Sequence, residues 1–417
     1  MAHSPSASSD RFLTRLLSSL SIPAYRWLWF NSVFGSMRLI TVFVTRGWLV
    51  LELTNSPFWV GAAPAVRGIV QITLGLFAGV LLDRINRRSA LFVSEIGATA
   101  VSAVLGVLVF TGQIELWHVI VGAVVEGMAM SVRWPAINTL IVQVVNRDQL
   151  LNASAAQMLG FNVGNVVASA VAGLVVATYG IEYGYFFSAV CGVVGAVCIL
   201  WIVGDFRPKT VEKAEPVFQA IKEGLVYIGQ YRALIWLIAL GLLMSLFGWS
   251  NLTMLPVMAR DVLGQDASGL GYLTGVGAFG SLLSTAFVAS LGDYKDKTRL
   301  VLVAGALTTA GIIAFSFSTW FALSLVLAGV MQAALMAFEV TLTATVLLIT
   351  DDEMQGRVQG IYTQVFGFTW VGGVLLGSIA EYAGAPLAIA LGGGAIGVVV
   401  LAAWRPLRRM KTQFDLA

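Results

Sequence analysis

Long apolar runs broken by short polar punctuation dominate this chain. Twelve of them are long enough to cross a bilayer, at residues 25–50, 57–82, 89–111, 117–140, 153–177, 184–204, 233–256, 269–291, 300–317, 320–346, 358–380 and 386–404. A spanning helix needs about 20 such residues. Most lack the strict alternation of half-buried strands, and only helices or closed barrels satisfy every backbone polar group in lipid. The pattern therefore predicts an all-α membrane protein with twelve transmembrane helices. Outside the spans lie a tail at 1–24, a linker at 205–232 and a second tail at 406–417. Met1 to Asp10 is polar and Ser-rich and is not expected to be a cleavable signal. The segment that follows puts Phe12, Leu13, Leu16, Leu17 and Leu20 on one helical side, which suits a helix lying on the membrane. An unstructured basic tail fits equally well. In the linker, Phe218, Ile221, Leu225 and Ile228 form a stripe that predicts an amphipathic helix.

Composition agrees with the pattern. Of 417 residues, 58% are hydrophobic and only 11% charged. Soluble domains run near half apolar and about a quarter charged. The distribution of charge says more than its net value of +3. Of 25 Lys and Arg, 20 fall on one set of loops and span edges, and Arg260 alone falls on the opposite set. Arg38, Arg46, Arg67 and Arg133 lie within spans. Positive residues mark the cytoplasmic side, so both termini and the linker are expected in the cytoplasm. Nine of the twelve tryptophans, Trp27 and Trp404 among them, stand near span ends, while Trp134, Trp249 and Trp370 lie further inside.

Catalytic chemistry is thin. Cys191 and Cys198 share one predicted helix, about 10 Å apart along its axis and too far for a disulfide. The histidines are His3 and His118, too few for a metal cluster. No phosphate-cradling glycine loop, nucleophile elbow or Cys-His pair stands out. Neither an enzyme nor a metal site is expected, and no cofactor beyond a proton gradient. Nothing suggests a nucleic-acid partner.

The chain also repeats. Asp83 and Asp293 stand 210 residues apart, as do Gly61 and Gly271. Gly173 and Gly377, like Gly180 and Gly384, stand 204 apart, so one net gap of six aligns the register. Two six-helix pseudo-symmetric halves follow, at 25–204 and 233–405. Parallel repeats of this kind are a transporter architecture.

The loop "GVLLDRINRR" at 79–88 concentrates Asp83, Arg84, Arg87 and Arg88 in a chain otherwise poor in charge. It resembles the signature Gly-x-Leu-x-Asp-Arg-x-Gly-Arg-Arg of the major facilitator superfamily. Gly79, Leu81, Asp83, Arg84, Arg87 and Arg88 match, and Asn86 replaces a glycine at a position read as a left-handed turn. "WLVLELTNSPFWVG" and "LTMLPVMARDVLGQDASGLG" resemble the bacterial exporter branch that includes enterobactin and macrolide efflux proteins. The resemblance implies a cytoplasmic gate in which Asp83 pairs with Arg87 and meets the start of span 11, beside Glu353 and Arg357, with Asp293 as a weaker second copy. A plain topology signal is the alternative. Exporters of the superfamily often carry Gly-Pro followed by Gly-Gly on helix 5, where this chain has Ala168-Ser169 and Ala172-Gly173. Small residues recur every four positions from Gly160 to Ala172 and from Gly277 to Ala289, which suits spans 5 and 8 packing between the halves.

Ionisable residues deep in a bilayer are rare and usually functional. Glu126 is the first candidate for proton coupling, then Glu339 and Glu95, with Arg38 and Arg67 at similar depth to Glu126 and able to pair with it. Structural ion pairs are the plainer alternative. Arg38, Arg67, Asn162, Asn165 and the aromatic face Tyr362, Phe366, Trp370 are candidates for a substrate cavity, although such a stripe also suits a lipid-facing or core surface. The leading expectation is a monomeric, proton-coupled exporter in the bacterial inner membrane, moving an amphipathic small molecule such as a drug or siderophore by alternating access. One rival is an uptake symporter or facilitator for an organic anion. Another is a lysolipid flippase or a receptor without transport.

Overall fold

A computed structural model describes residues 19–82, 84–146, 149–204, 206, 217–291, 296–351 and 353–414. Among them every regular element is helical. The spans are α1 Pro23–Thr54, α2 Pro57–Leu82, α3 Arg87–Phe110, α4 Leu116–Val144, α5 Leu150–Tyr179 and α6 Ile181–Leu200. They continue with α7 Arg232–Val262, α8 Ala267–Ser290, α9 Lys297–Ser316, α10 Phe321–Ile349, α11 Gln355–Ala383 and α12 Ala385–Phe414. Eleven of these are long and apolar enough to cross a membrane among the described residues, and α2 occupies the remaining predicted span. The chain forms two compact units. One comprises residues up to Arg46 with Val70–Val211, and the other Gly47–Ile69 with Glu212–Ala417.

In the first unit α3 packs on α4 and α6. Tyr25, Leu28, Leu91, Leu140, Ile141 and Ile199 form an apolar core at one end. Glycine sets how closely α5 meets α1. A Cβ at Gly160 would collide with the Trp29 indole, and one at Gly164 with Ser36 and the Val33 carbonyl. The Trp29 indole instead donates to the Ala156 carbonyl at 2.8 Å, and Tyr25 to Ala153 at 2.6 Å. The first members of this small-residue stripe are thus used inside the unit.

The signature loop enters α3 through Asn86. Its backbone is extended, with φ −65° and ψ 121°, and its side chain accepts from the amides of Arg88 and Ser89. Asn86 is therefore a helix N-cap, not a left-handed turn, because the first α3 amides need an acceptor. Arg88 donates to the carbonyls of Ile199 at 3.0 Å and Leu200 at 2.6 Å, closing the unsatisfied end of α6. Gly79 lies in α2, whereas Asp83 and Asp293 fall outside the described residues.

In the second unit α10 packs against α8 and α9, and α12 against α9 and α11. Gly280 lies against the Gly329 backbone, and Ser281 donates to the Gln332 carbonyl at 3.2 Å, so this stripe too is used within its unit. The linker helix, Val217–Gln230, buries Tyr227 and Ile228 and leaves Leu225 exposed. It docks on α11 through Glu223 and Arg357, 3.0 Å apart, while the Asp351 amide donates to the Tyr227 hydroxyl. Burial raises the Tyr227 hydroxyl above the ordinary tyrosine range.

Segment 47–69 is fastened by polar contacts at its turn. Glu381 accepts from the Ser56 hydroxyl at 2.7 Å and the Phe58 amide at 3.1 Å, and Arg260 donates to the Leu51 carbonyl and the Asn55 side chain. Gly61 meets the Gly373 carbonyl so closely that no side chain fits. Gly61→Leu is expected to lift this segment off α11. In a Ser56→Cys/Glu381→Cys background, cross-linking by a short bifunctional reagent should fall by more than about half when Gly61→Leu is added, since overpacking forces backbone shifts. An unchanged yield would contradict the close packing.

Candidate functional site

Two buried carboxylates, Glu95 and Glu126, and one half-buried carboxylate, Glu339, define the charged interior, and each has a different environment. Glu95 on α3 is 0% exposed. One oxygen accepts from Arg38 Nε at 3.0 Å and the other from Arg133 Nη1. Gly35 makes room for the Arg133 guanidinium against α1, since a Cβ there would overlap it. Arg133 also approaches the Asn31 carbonyl at 3.4 Å, and Asn31 donates to Gly195 at 3.0 Å. α1, α3, α4 and α6 are thereby tied through one polar network.

Glu126 on α4 pairs with Arg46, Nη2 to Oε2 at 2.5 Å, and both are buried. Arg38, read at similar depth, is therefore not its partner. Arg38 belongs to Glu95, and the Arg67 guanidinium lies 4.7 Å from the Trp370 ring centre, a cation–π contact within the second unit. Gly68 brings that ring against α2, because a Cβ there would fall inside it. Reading depth along the chain missed Arg46. Its signal was its place inside a span, which makes a charge expensive wherever it falls.

Glu339 on α10 differs from both. The Tyr362 hydroxyl donates to Oε1 at 2.5 Å and the Trp249 indole to Oε2 at 3.5 Å. No Lys or Arg among the described residues forms an ion pair with it. Trp249 arrives where α7 departs from α-helical winding. Met244–Trp249 is a π turn, followed by a 3-10 stretch at Ser250–Met254. Such irregular turns recur at functional sites because they rotate side chains off the regular helical face. Phe366 lies edge-on to Trp249, ring centres 5.7 Å apart. The aromatic face of α11 therefore divides its work. Tyr362 bonds Glu339 and Phe366 lies on Trp249, while Trp370 covers Arg67. Trp249 was legible only as a tryptophan away from a span end.

On α5, Asn165 and Asn162 are half-buried, and the Asn165 side-chain oxygen is buried with no hydrogen-bond partner. The described residues hold no group of three or more His, Cys, Asp or Glu able to bind a metal.

Buried carboxylates, an irregular α7 and the signature loop on one all-helical chain fit a transporter of the major facilitator superfamily. Residues 14–415 match the family described as transmembrane secretion effector. The chain belongs to this family. Macrolide efflux protein A of Streptococcus pyogenes is 19% identical to this chain over 262 residues, covering 63% of this chain and 64% of that protein. The chain thus matches less than two thirds of that relative's length. The multidrug efflux pump Tap of Mycolicibacterium fortuitum is 23% identical over 367 residues, 84% of this chain and 87% of the pump. The staphyloferrin A transporter of Staphylococcus aureus is 19% identical over 254 residues, 61% of this chain and 64% of that protein. The fold matches the solved nucleoside transporter NupG with TM-score 0.69 at 14% identity, over 91% of this chain and 98% of that one. The protein is a multi-pass membrane protein of this family.

Proposed function

We propose that this chain exports an amphipathic small molecule in exchange for protons by alternating access, with Glu339 as the principal proton carrier. The observation that carries this reading is the contrast among the three carboxylates. Glu95 and Glu126 are held by arginines, so their negative charge is compensated where they stand. Among the described residues Glu339 has neutral donors only. A carboxylate in an apolar bundle is costly when ionised without a cation, and taking up a proton removes that cost. Its state then follows water access, which is what alternates in a transporter. Its two donors, Tyr362 and Trp249, are aromatic, so an amphipathic solute and a proton can compete for one region. The efflux relatives support the outward direction. The proposal places the protein in the bacterial inner membrane as a monomer, with both termini cytoplasmic on the strength of the arginine and lysine bias.

The test is accumulation in a bacterium stripped of its own pumps. Expression should lower the cell content of at least one of a macrolide, a fluorescent dye and a carboxylate siderophore. A protonophore should abolish that difference. Raised accumulation that needs the gradient would favour the uptake rival, and no change for any amphiphile would sink the export reading.

A further inference from the structure

We infer that the first unit carries a receptor for an anionic head group, so that the transported amphiphile is an organic anion read by Arg133. This deepens the export proposal and rests on it for the word transported, whereas the binding claim stands by itself.

A cavity of about 280 Å³ opens between α4 and α5, with Ser32 of α1 also on its wall. Arg133 lines it and is 94% buried, by its 6% exposure. Its charge is not fully balanced. Among its described residues the first unit buries Arg38, Arg46 and Arg133 against Glu95 and Glu126. Both Glu95 oxygens are already engaged, one by each of two guanidinium groups. Among these described buried groups one positive charge is therefore in excess, and Arg133 is the arginine at the cavity wall. A guanidinium presents donors in a planar fork that fits carboxylate or sulfonate oxygens. Gln157, also on the wall and 8% exposed, donates to the Ser32 hydroxyl, and its carbonyl oxygen is buried without a partner. That oxygen can take a hydroxyl or amide hydrogen beside the anion. Trp134 and Phe161, ring centres 5.2 Å apart, give the same cavity a flat apolar wall. Positive charge, an unused acceptor and paired rings describe a ligand with an acidic head and an aromatic or apolar body. A cation would be repelled by that excess charge.

The matched probes are 8-anilinonaphthalene-1-sulfonate and its uncharged counterpart N-phenyl-1-naphthylamine, which share their rings and differ by the sulfonate. They are titrated calorimetrically into the full chain in nanodiscs of zwitterionic lipid, with empty discs subtracted. The sulfonate should bind about tenfold tighter or more, which corresponds to one charge-assisted contact. Arg133→Gln should erase that preference. Ser154→Glu, at an exposed position lining the same cavity, should erase it too by adding a carboxylate to the cavity that Arg133 lines. Equal binding of the two probes, or a preference that survives both substitutions, overturns the inference. Adding lysophosphatidylglycerol separates the sources of the anion. Displacement of the sulfonate by the lysolipid assigns the site to lipid head groups and overturns the small-molecule assignment, and failure to displace supports it. Liposome transport of the uncharged probe alone would leave the export reading standing without this one. Arginine-dependent sulfonate binding with no transport of any amphiphile would do the reverse.

Discussion

Glu339→Gln should uncouple transport from the proton gradient while leaving the protein folded and able to exchange substrate. Glutamine keeps the size and hydrogen-bonding capacity of the protonated acid, so Tyr362 and Trp249 retain a partner. What disappears is the ability to release and regain a proton as the site changes its access to water. Gradient-driven efflux should fall about 5–150-fold, the range of coupling between linked sites, and exchange of substrate across liposomes without a gradient should persist. Glu126→Gln makes the comparison sharp. It breaks the Arg46 pair, so its effect should be on yield and stability, not on the response of surviving protein to the gradient. Full gradient response in Glu339→Gln, with loss in Glu126→Gln, would return the coupling role to Glu126.

Glu95→Gln should have the largest effect on stability. It leaves Arg38 and Arg133 buried side by side with no counterion, and removing one member of a buried ion pair costs about 3–5 kcal/mol. Most of the protein should fail to accumulate as a monodisperse species, and what survives should melt well below the native chain. Arg133→Gln should cost much less, because Arg38 and Glu95 remain as a balanced pair. Thermal unfolding of both variants in detergent measures the difference. Equal destabilisation by the two would mean that the network holds the fold by shape and not by charge.

Hydrophobic runs located the membrane helices because bilayer thickness sets their length. The run at 57–82 coincides with α2, Pro57–Leu82. The last run, 386–404, underestimates α12, which continues to Phe414 because hydrogen bonding carries a helix beyond the point where polarity rises. Partners within the bundle were not legible. Depth along a helix follows from residue count, but rotation about its axis and the tilt of its neighbour do not. Arg38, Arg67 and Glu126 therefore read as one group, although Glu126 takes Arg46 and Arg38 takes Glu95. The Trp249 contact depends on a π turn that leaves no periodic signature. Nor does composition reveal that residues 47–69 pack with the second unit, since that rests on backbone approach at Gly61 and on polar contacts at Glu381 and Arg260.

Proton release from purified protein tests the central claim most directly. The probe is the compound whose accumulation falls most in expressing cells, added to detergent-solubilised protein in weakly buffered solution with a pH-sensitive dye. Competition between substrate and proton for the Glu339 region predicts that the native chain releases about one proton per bound ligand and that Glu339→Gln binds the ligand without release. Undiminished release from Glu339→Gln, or ligand binding by the native chain with no release at any pH between about 6 and 9, would contradict the account.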